Sequence, residues 1–346
     1  MKVLITGGAG FIGANAAQRF LADGHHVVVL DNLSRVGTNL NLEWLRSLGG
    51  RLQFQPLDVR NEREVLATIG GHSDAEVILH LAAQVAVTTS IVDPRTDFNI
   101  NALGTFNVLE AARQLPRLRA FLYTSTNKVY GAMEQLQIVE RSGRYRYAEL
   151  PRGVAEDAPL DFHSPYGCSK GAADQYVIDF SRVYGLPGVV FRQSCIYGPR
   201  QFGVEDQGWV AWLCIAAALG RPITIYGDGK QVRDVLHVRD LVELYCRAIE
   251  RINEARGQAF NVGGGADNTL SLLELLDLLG ARLGRRVEPL YGEWRTGDQK
   301  VFVANIAKAE KLLGWKPAIG AAQGVGELLD WVQANAETVK VVLAKR

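Results

Sequence analysis

Tyr166 and Lys170, within Ser164-Pro165-Tyr166-Gly167-Cys168-Ser169-Lys170, are the pair whose types and spacing point to chemistry. Four residues apart on a helix, they share one face, so an ammonium can sit beside a phenol. A free phenol titrates at about 10, whereas a working general base should titrate near ~7. Closing that gap takes about 4 kcal/mol. A cation about 4 Å away supplies this at an effective dielectric of about 20, but only about 1 kcal/mol in bulk water. The pair is therefore expected to act as a base inside a pocket, with Lys170 lowering the phenol pKa.

The elements that must hold this pair begin at the other end of the chain. Val3 to Thr6 read as a buried strand and Phe11 to Leu21 as a helix, joined by Gly7-x-x-Gly10-x-x-Gly13. Glycines at this spacing serve a sharp turn, a close approach to a pyrophosphate, and helix-on-strand packing. The helix N-terminus offers free N–H groups to phosphate. A second strand, His26 to Leu30, ends at Asp31, where an acid should bond the ribose hydroxyls of a dinucleotide. Asp31 would repel a 2′-phosphate, favouring NAD over NADP; Arg35 weighs slightly the other way.

Composition points to a soluble enzyme. The chain has 346 residues, with 38 Lys and Arg against 37 Asp and Glu, so no field gathers nucleic acid or an anionic membrane. The most apolar run, Trp209 to Leu219, is far short of the roughly 20 residues a membrane helix needs. With the first strand starting at Val3, no signal peptide is expected. Cys168, Cys195, Cys214 and Cys246 show no metal or disulfide spacing, so no metal is expected and a cytoplasmic setting fits.

Further strands are expected at Leu52 to Leu57, Val77 to Leu81, Ala120 to Tyr123 and Val189 to Arg192, alternating with helices such as Thr105 to Arg113 and Gly171 to Tyr184. That alternation predicts an α/β fold: a Rossmann-type doubly wound parallel sheet with ligand at the carboxyl ends of its strands. From about Tyr197 the pattern loosens, with a helical return over Arg239 to Glu250. The expected division is a dinucleotide-binding unit over 1–196, rejoined by 233–250, and a smaller interleaved C-terminal substrate lobe over 197–232 and 251–346.

Over nearly its whole length the chain resembles the extended short-chain dehydrogenase/reductases that act on nucleotide sugars. The resemblance rests on the Gly7–Gly13 loop, Asp31-Asn32-Leu33-Ser34, Asp58-Val59, His80-Leu81-Ala82-Ala83-Gln84, Asn101 through Gly104-Thr105, Thr126 ahead of Val129-Tyr130-Gly131, and Tyr166 with Lys170. Later come Tyr197-Gly198-Pro199-Arg200, Gly227 to Asp234, and Phe260-Asn261-Val262-Gly263-Gly264. It implies catalysis by Thr126, Tyr166 and Lys170. It implies NAD contacts from Gly7, Gly10, Phe11, Ile12, Gly13, Asp31, Asn32, Ser34, Arg35, Asp58, Val59, Leu81, Ala82, Ala83, Gln84, Asn101, Tyr166 and Lys170. Substrate contacts are implied for Thr88, Thr126, Asn127, Lys128, Gln193, Ser194, Gln201, Gln207, Gly208, Trp209, Thr224, Tyr226, Arg233, Arg295 and Asp298. Arg233 and Arg295 would clamp the diphosphate, as planar guanidinium groups do.

Sugar 4,6-dehydratases of this family carry Asp-Glu straight after the threonine; here those positions are Asn127 and Lys128. An amide transfers no proton, and a lysine near its usual pKa of about 10.4 is a poor base, so epimerisation through a transient ketone is expected. The strings Asp31 to Arg35, Ser125 to Gly131, Leu160 to Tyr176, Asp206 to Trp209 and Gly229 to His237 resemble the branch that inverts C2 of a CDP-linked hexose. Cys195 stands where many relatives have asparagine, and a thiol lacks the amide's two-sided hydrogen bonding. A 4-epimerase, a 2-epimerase for another CDP-hexose and a non-catalytic NAD-binding regulator are the rival readings. Trp209, Trp212 and Tyr226 are candidates to flank the nucleobase; His80 and His163 read as packing residues. The resemblance implies a homodimer or higher homo-oligomer, with the 171–184 helix a candidate contact.

Overall fold

The computed structural model describes residues 1–294 and 299–344. Seven parallel strands form the main sheet, in spatial order Gln258–Val262, Gly188–Gln193, Ala120–Thr126, Val77–His80, Lys2–Thr6, His26–Asp31 and Leu52–Pro56. The order reverses between Lys2–Thr6 and Val77–His80, which opens a crevice at their carboxyl ends. The central strands are apolar on both sides because both faces are covered. Val3, Ile5, Val27 and Val29 enter one core, while Leu4, Val28 and Leu30 enter the other.

The smaller lobe grows from short strands. Val232–His237 pairs with Cys195–Tyr197 and Val301–Phe302 in parallel and with Thr269–Ser271 antiparallel. Helix Trp209–Ala218 is apolar all round and fills this lobe's own core with Leu275, Leu279 and Leu328. One part of the expected division needs correction. Gln258–Val262 falls in the range given to the smaller lobe, yet it pairs with Gly188–Gln193 as the last strand of the main sheet.

The helix carrying the pair runs over Ser164–Tyr184, so the pair shares a helix as its spacing requires, and it begins seven residues before the stretch read as helical from Gly171. Pro165 falls in the first turn, where proline is tolerated. Gly171 is there for space: a Cβ would come within 2.5 Å of the Phe162 ring. Gly185, at φ 70°, ends the helix in the left-handed region.

Candidate active site

The glycine turn at the head of the first helix has little room for side chains. Gly7 has φ +67°, and a Cβ there would meet the Ala82 nitrogen at 2.7 Å; one on Gly13 would meet the Gly7 oxygen at 2.3 Å. Asp31 closes the turn from the second strand, accepting from the Ala9 N–H at 3.1 Å and the Leu33 N–H at 2.8 Å. Its burial pushes the carboxyl pKa up, against those two bonds. Asp58 is held at about 2, mainly by its hydrogen bonds from Arg60.

One cleft runs from this turn to the catalytic helix. Gly7, Gly10, Phe11, Ile12, Gly13, Asp31, Asn32, Ser34, Arg35, Asp58, Val59, Leu81, Ala82, Ala83, Tyr166 and Lys170 all line it. Gln84 and Asn101, expected against the cofactor, are not among its lining residues. The Gln84 N–H donates to Asn101 Oδ1, and the Asn101 amide donates back to the Gln84 carbonyl and to Asp97 and Ser169. They brace the layer beneath the catalytic helix.

The expected electrostatics of the pair are also corrected. Burial raises the Tyr166 phenol to about 12, and the group pulling it down is the Thr126 hydroxyl. Burial lowers Lys170 to about 7, with Asp174 and Asp97 opposing. Its ammonium donates to the Thr124 carbonyl at 2.5 Å and lies 4.3 Å from the Tyr123 ring centroid. Desolvation thus outweighs the attraction that spacing alone suggested. His80 is a packing residue as expected: it lies between the Thr6 and Thr105 hydroxyls, and burial lowers it to about 3. His163 is exposed and faces Asp161.

On the substrate side, Gln193, Gln201 and Gln207 line the same cleft. The Lys128 ammonium donates to Gln299 Oε1 at 3.4 Å, and Asn127 accepts from the Thr126 hydroxyl. The Trp209 indole donates to the Cys195 sulfur at 3.2 Å. Lys128 and Arg233 both lie close enough to draw the thiol pKa down, though burial raises it more. Ser194 turns away to bond the buried Asp234. Gly208, at φ +75°, makes room for Gln201, whose amide a Cβ would meet at 2.6 Å. Tyr226 donates to Glu205, Thr224 sits on the strand paired with Leu290–Gly292, and Thr88 is exposed on helix Val87–Val92. Arg295 and Asp298 lie outside the described residues.

Three features were given no role by the sequence reading. Arg200, at φ 70°, lines the cleft with its guanidinium 4.1 Å from the Trp44 ring centroid. Asp174 and Arg192 form a buried bidentate pair that also binds Ser125, the neighbour of Thr126. Asp97 is wholly buried beneath the catalytic turn. The available signal was a charge inside an otherwise apolar strand, as at Arg192.

The glycine cradle and the acid at the end of the second strand fit a dinucleotide with unphosphorylated ribose. Fold and cleft together define an NAD-binding epimerase or dehydratase of the extended Rossmann type. Residues 3–263 match the NAD dependent epimerase/dehydratase family, and the chain belongs to it. It is 48% identical over 339 residues to CDP-paratose 2-epimerase of Salmonella typhi, covering 96% of this chain and 100% of that one. Its fold matches UDP-glucose 4-epimerase of Thermotoga maritima with UDP-glucose, at a TM-score of 0.83 and 29% identity over 97% and 100% of the two chains. It also matches UDP-glucuronic acid 4-epimerase of Bacillus cereus with UDP-glucuronic acid and NAD, at 0.82 and 29% over 96% and 99%. Among the described residues no helix is long and apolar enough to cross a membrane, and no acidic, histidine or cysteine cluster is arranged for a metal.

Proposed function

We propose that this protein inverts C2 of a CDP-linked hexose, the conversion of CDP-paratose to CDP-tyvelose, with NAD held in the cleft. The observation that carries the chemistry is Tyr166 with Lys170 lining that cleft, with the Thr126 hydroxyl drawing the phenol pKa down and Asn127 and Lys128 where dehydration would need two acids. The sugar and the base rest on the Salmonella typhi relative.

Gly7, Gly10, Gly13 and Asp31 would hold the dinucleotide, which when bound accepts and returns one hydride. Tyr166, as phenolate, takes the C2 hydroxyl proton on oxidation and returns it on reduction, so turnover needs no outside acid or redox partner. Thr126 donates to the phenolate and keeps the reacting oxygen in line. Arg233 grips the diphosphate while the keto sugar turns its other face.

Purified protein without added NAD, given CDP-, UDP-, GDP- and dTDP-sugars, should epimerise the CDP-hexose alone, with inversion at C2 read by NMR. Inversion at C4 or preference for a UDP-sugar would replace this reading with the 4-epimerase. Helix Ser164–Tyr184 leaves Tyr176, Val183 and Tyr184 exposed, which supports a homo-oligomer measurable by sedimentation.

A further inference from the structure

The chain leaving strand Cys195–Tyr197 runs onto the glycine turn, and two buried asparagines pin it there. Asn15 Nδ2 donates to the Phe11 carbonyl at 2.9 Å and to the Pro199 carbonyl at 3.0 Å. Asn41 Nδ2 donates to the Ala9 carbonyl at 3.2 Å and, more loosely, to the Arg200 carbonyl at 3.5 Å. Each amide thus ties a carbonyl of the turn, or of the helix it opens, to one of two successive carbonyls in this segment.

Arg200 is held in a conformation that long side chains rarely adopt, with φ at 70°. Such residues persist where their surroundings over-determine them, ligand clamps among them. The guanidinium lies 4.1 Å from the ring centroid of Trp44, on helix Thr38–Ser47 of the dinucleotide unit. It lies 5.9 Å from that of Trp331, on helix Ala321–Ala334 of the smaller lobe. Among the described residues no acid pairs with it; burial lowers its pKa and no charged neighbour opposes. What holds it is the attraction of a cation to ring faces. Phe202 packs in both directions: its ring centroid is 5.7 Å from that of Trp331, and a Cβ on Gly37 would meet its ring at 2.5 Å.

These contacts join parts of the chain that line one cleft: Arg35, Gly37 and Asn41 from the dinucleotide unit, Arg200 and Phe202 from the segment. The Ala9 peptide fixes where the joint lies. Its N–H donates to Asp31 and its carbonyl accepts from Asn41, so the joint is at the end where Asp31 would bond the adenosine ribose. We propose that Arg200 is a positioning residue for the cofactor: stacked on Trp44, it latches the 199–203 segment over the adenosine end of the cleft and slows release of the dinucleotide. The proposal rests on the reading above, in which NAD occupies this cleft and is regenerated in place. Retention has a chemical use there, because a cofactor lost in its reduced form would leave the keto sugar without its hydride.

Release is read by loading the protein with radiolabelled NAD and chasing with excess unlabelled NAD. Trp44 is not among the lining residues of the cleft, yet Trp44→Leu should speed release about tenfold, the size of one partly buried cation–π contact. Arg200→Ala should do the same. The double variant should release no faster than either single one, because both break one contact. Trp44→Phe keeps a ring face and should stay nearer the wild-type rate than Trp44→Leu, which a merely structural loss would not produce. Melting of the cofactor-free variants checks that they fold, and Arg200→Ala carries the test if Trp44→Leu does not. Wild-type protein that binds no NAD would remove the cofactor reading. Wild-type protein that retains NAD, beside folded variants that release it no faster, would remove only the latch. A double variant whose acceleration is the product of the two single effects would also overturn it.

Discussion

Lys170 bonds the Thr124 carbonyl, and two residues further along the same strand Thr126 reaches the Tyr166 phenol. One strand end therefore places both the cation and the donor that favours the phenolate. Tyr166→Phe should lower kcat by about 10²–10⁴-fold while NAD remains bound, measured by initial rates and by cofactor released on denaturation. Thr126→Val removes the donor to the phenolate, so the rising limb of the rate profile should move to higher pH. A rising limb in its wild-type position would transfer that role to another group.

The glycine turn gives a ranked prediction. A Cβ on Gly13 meets backbone at 2.3 and 2.6 Å, whereas one on Gly10 meets its nearest neighbour at 3.1 Å. Gly13→Ala should destabilise the protein by about 1–3 kcal/mol through overpacking and strip it of cofactor. Gly10→Ala should do less of both. Melting curves and cofactor content measure the order, and the reverse order would refute it.

Trp209, expected against the substrate, donates its indole N–H to the Cys195 sulfur. Cys195→Ala leaves the Trp209 N–H without its acceptor, a loss of about 1 kcal/mol. KM for the nucleotide sugar should rise about fivefold with kcat nearly unchanged. A fall in kcat with KM constant would place the thiol at the reacting carbon instead.

Asp234 gives a pH prediction. Burial raises its carboxyl from 3.8 to about 6, against hydrogen bonds from Ser194 and the Gly265 N–H. The native state therefore binds a proton that the unfolded chain has already lost between those values, so stability falls as pH rises through this window. At about 1.4 kcal/mol per unit the effect is about 3 kcal/mol. Asp234→Asn escapes it and should look less destabilising, relative to wild type, at pH ~7 than at pH ~4. Urea denaturation at the two values measures this; equal differences would mean Asp234 titrates normally.

The parts legible in advance were those with local causes. Buried parallel strands are near-continuous apolar runs, so Val3 to Thr6 and Val189 to Arg192 were plain in the sequence. The glycine turn and Asp31 followed from spacing. The start of the catalytic helix was hidden, because Gly171 faces Phe162, a contact that exists only in the folded chain. The pKa values of the pair were hidden for the same reason: spacing reveals a neighbouring cation, whereas the desolvation that outweighs it depends on what encloses Tyr166 and Lys170. Asp97 reaches the site from elsewhere in the chain, and no local pattern marks it; Asp174 sits one turn beyond Lys170 on the same helix, but its pairing with Arg192 exists only in the folded chain.

The last main-sheet strand, Gln258–Val262, comes after the chain has already entered the smaller lobe and come back through helix Val238–Glu250. The two halves are sewn together by several passes of backbone, so neither can be cut away as a free-standing piece. A nucleotide sugar bound as proposed would lie between two halves that the backbone joins more than once.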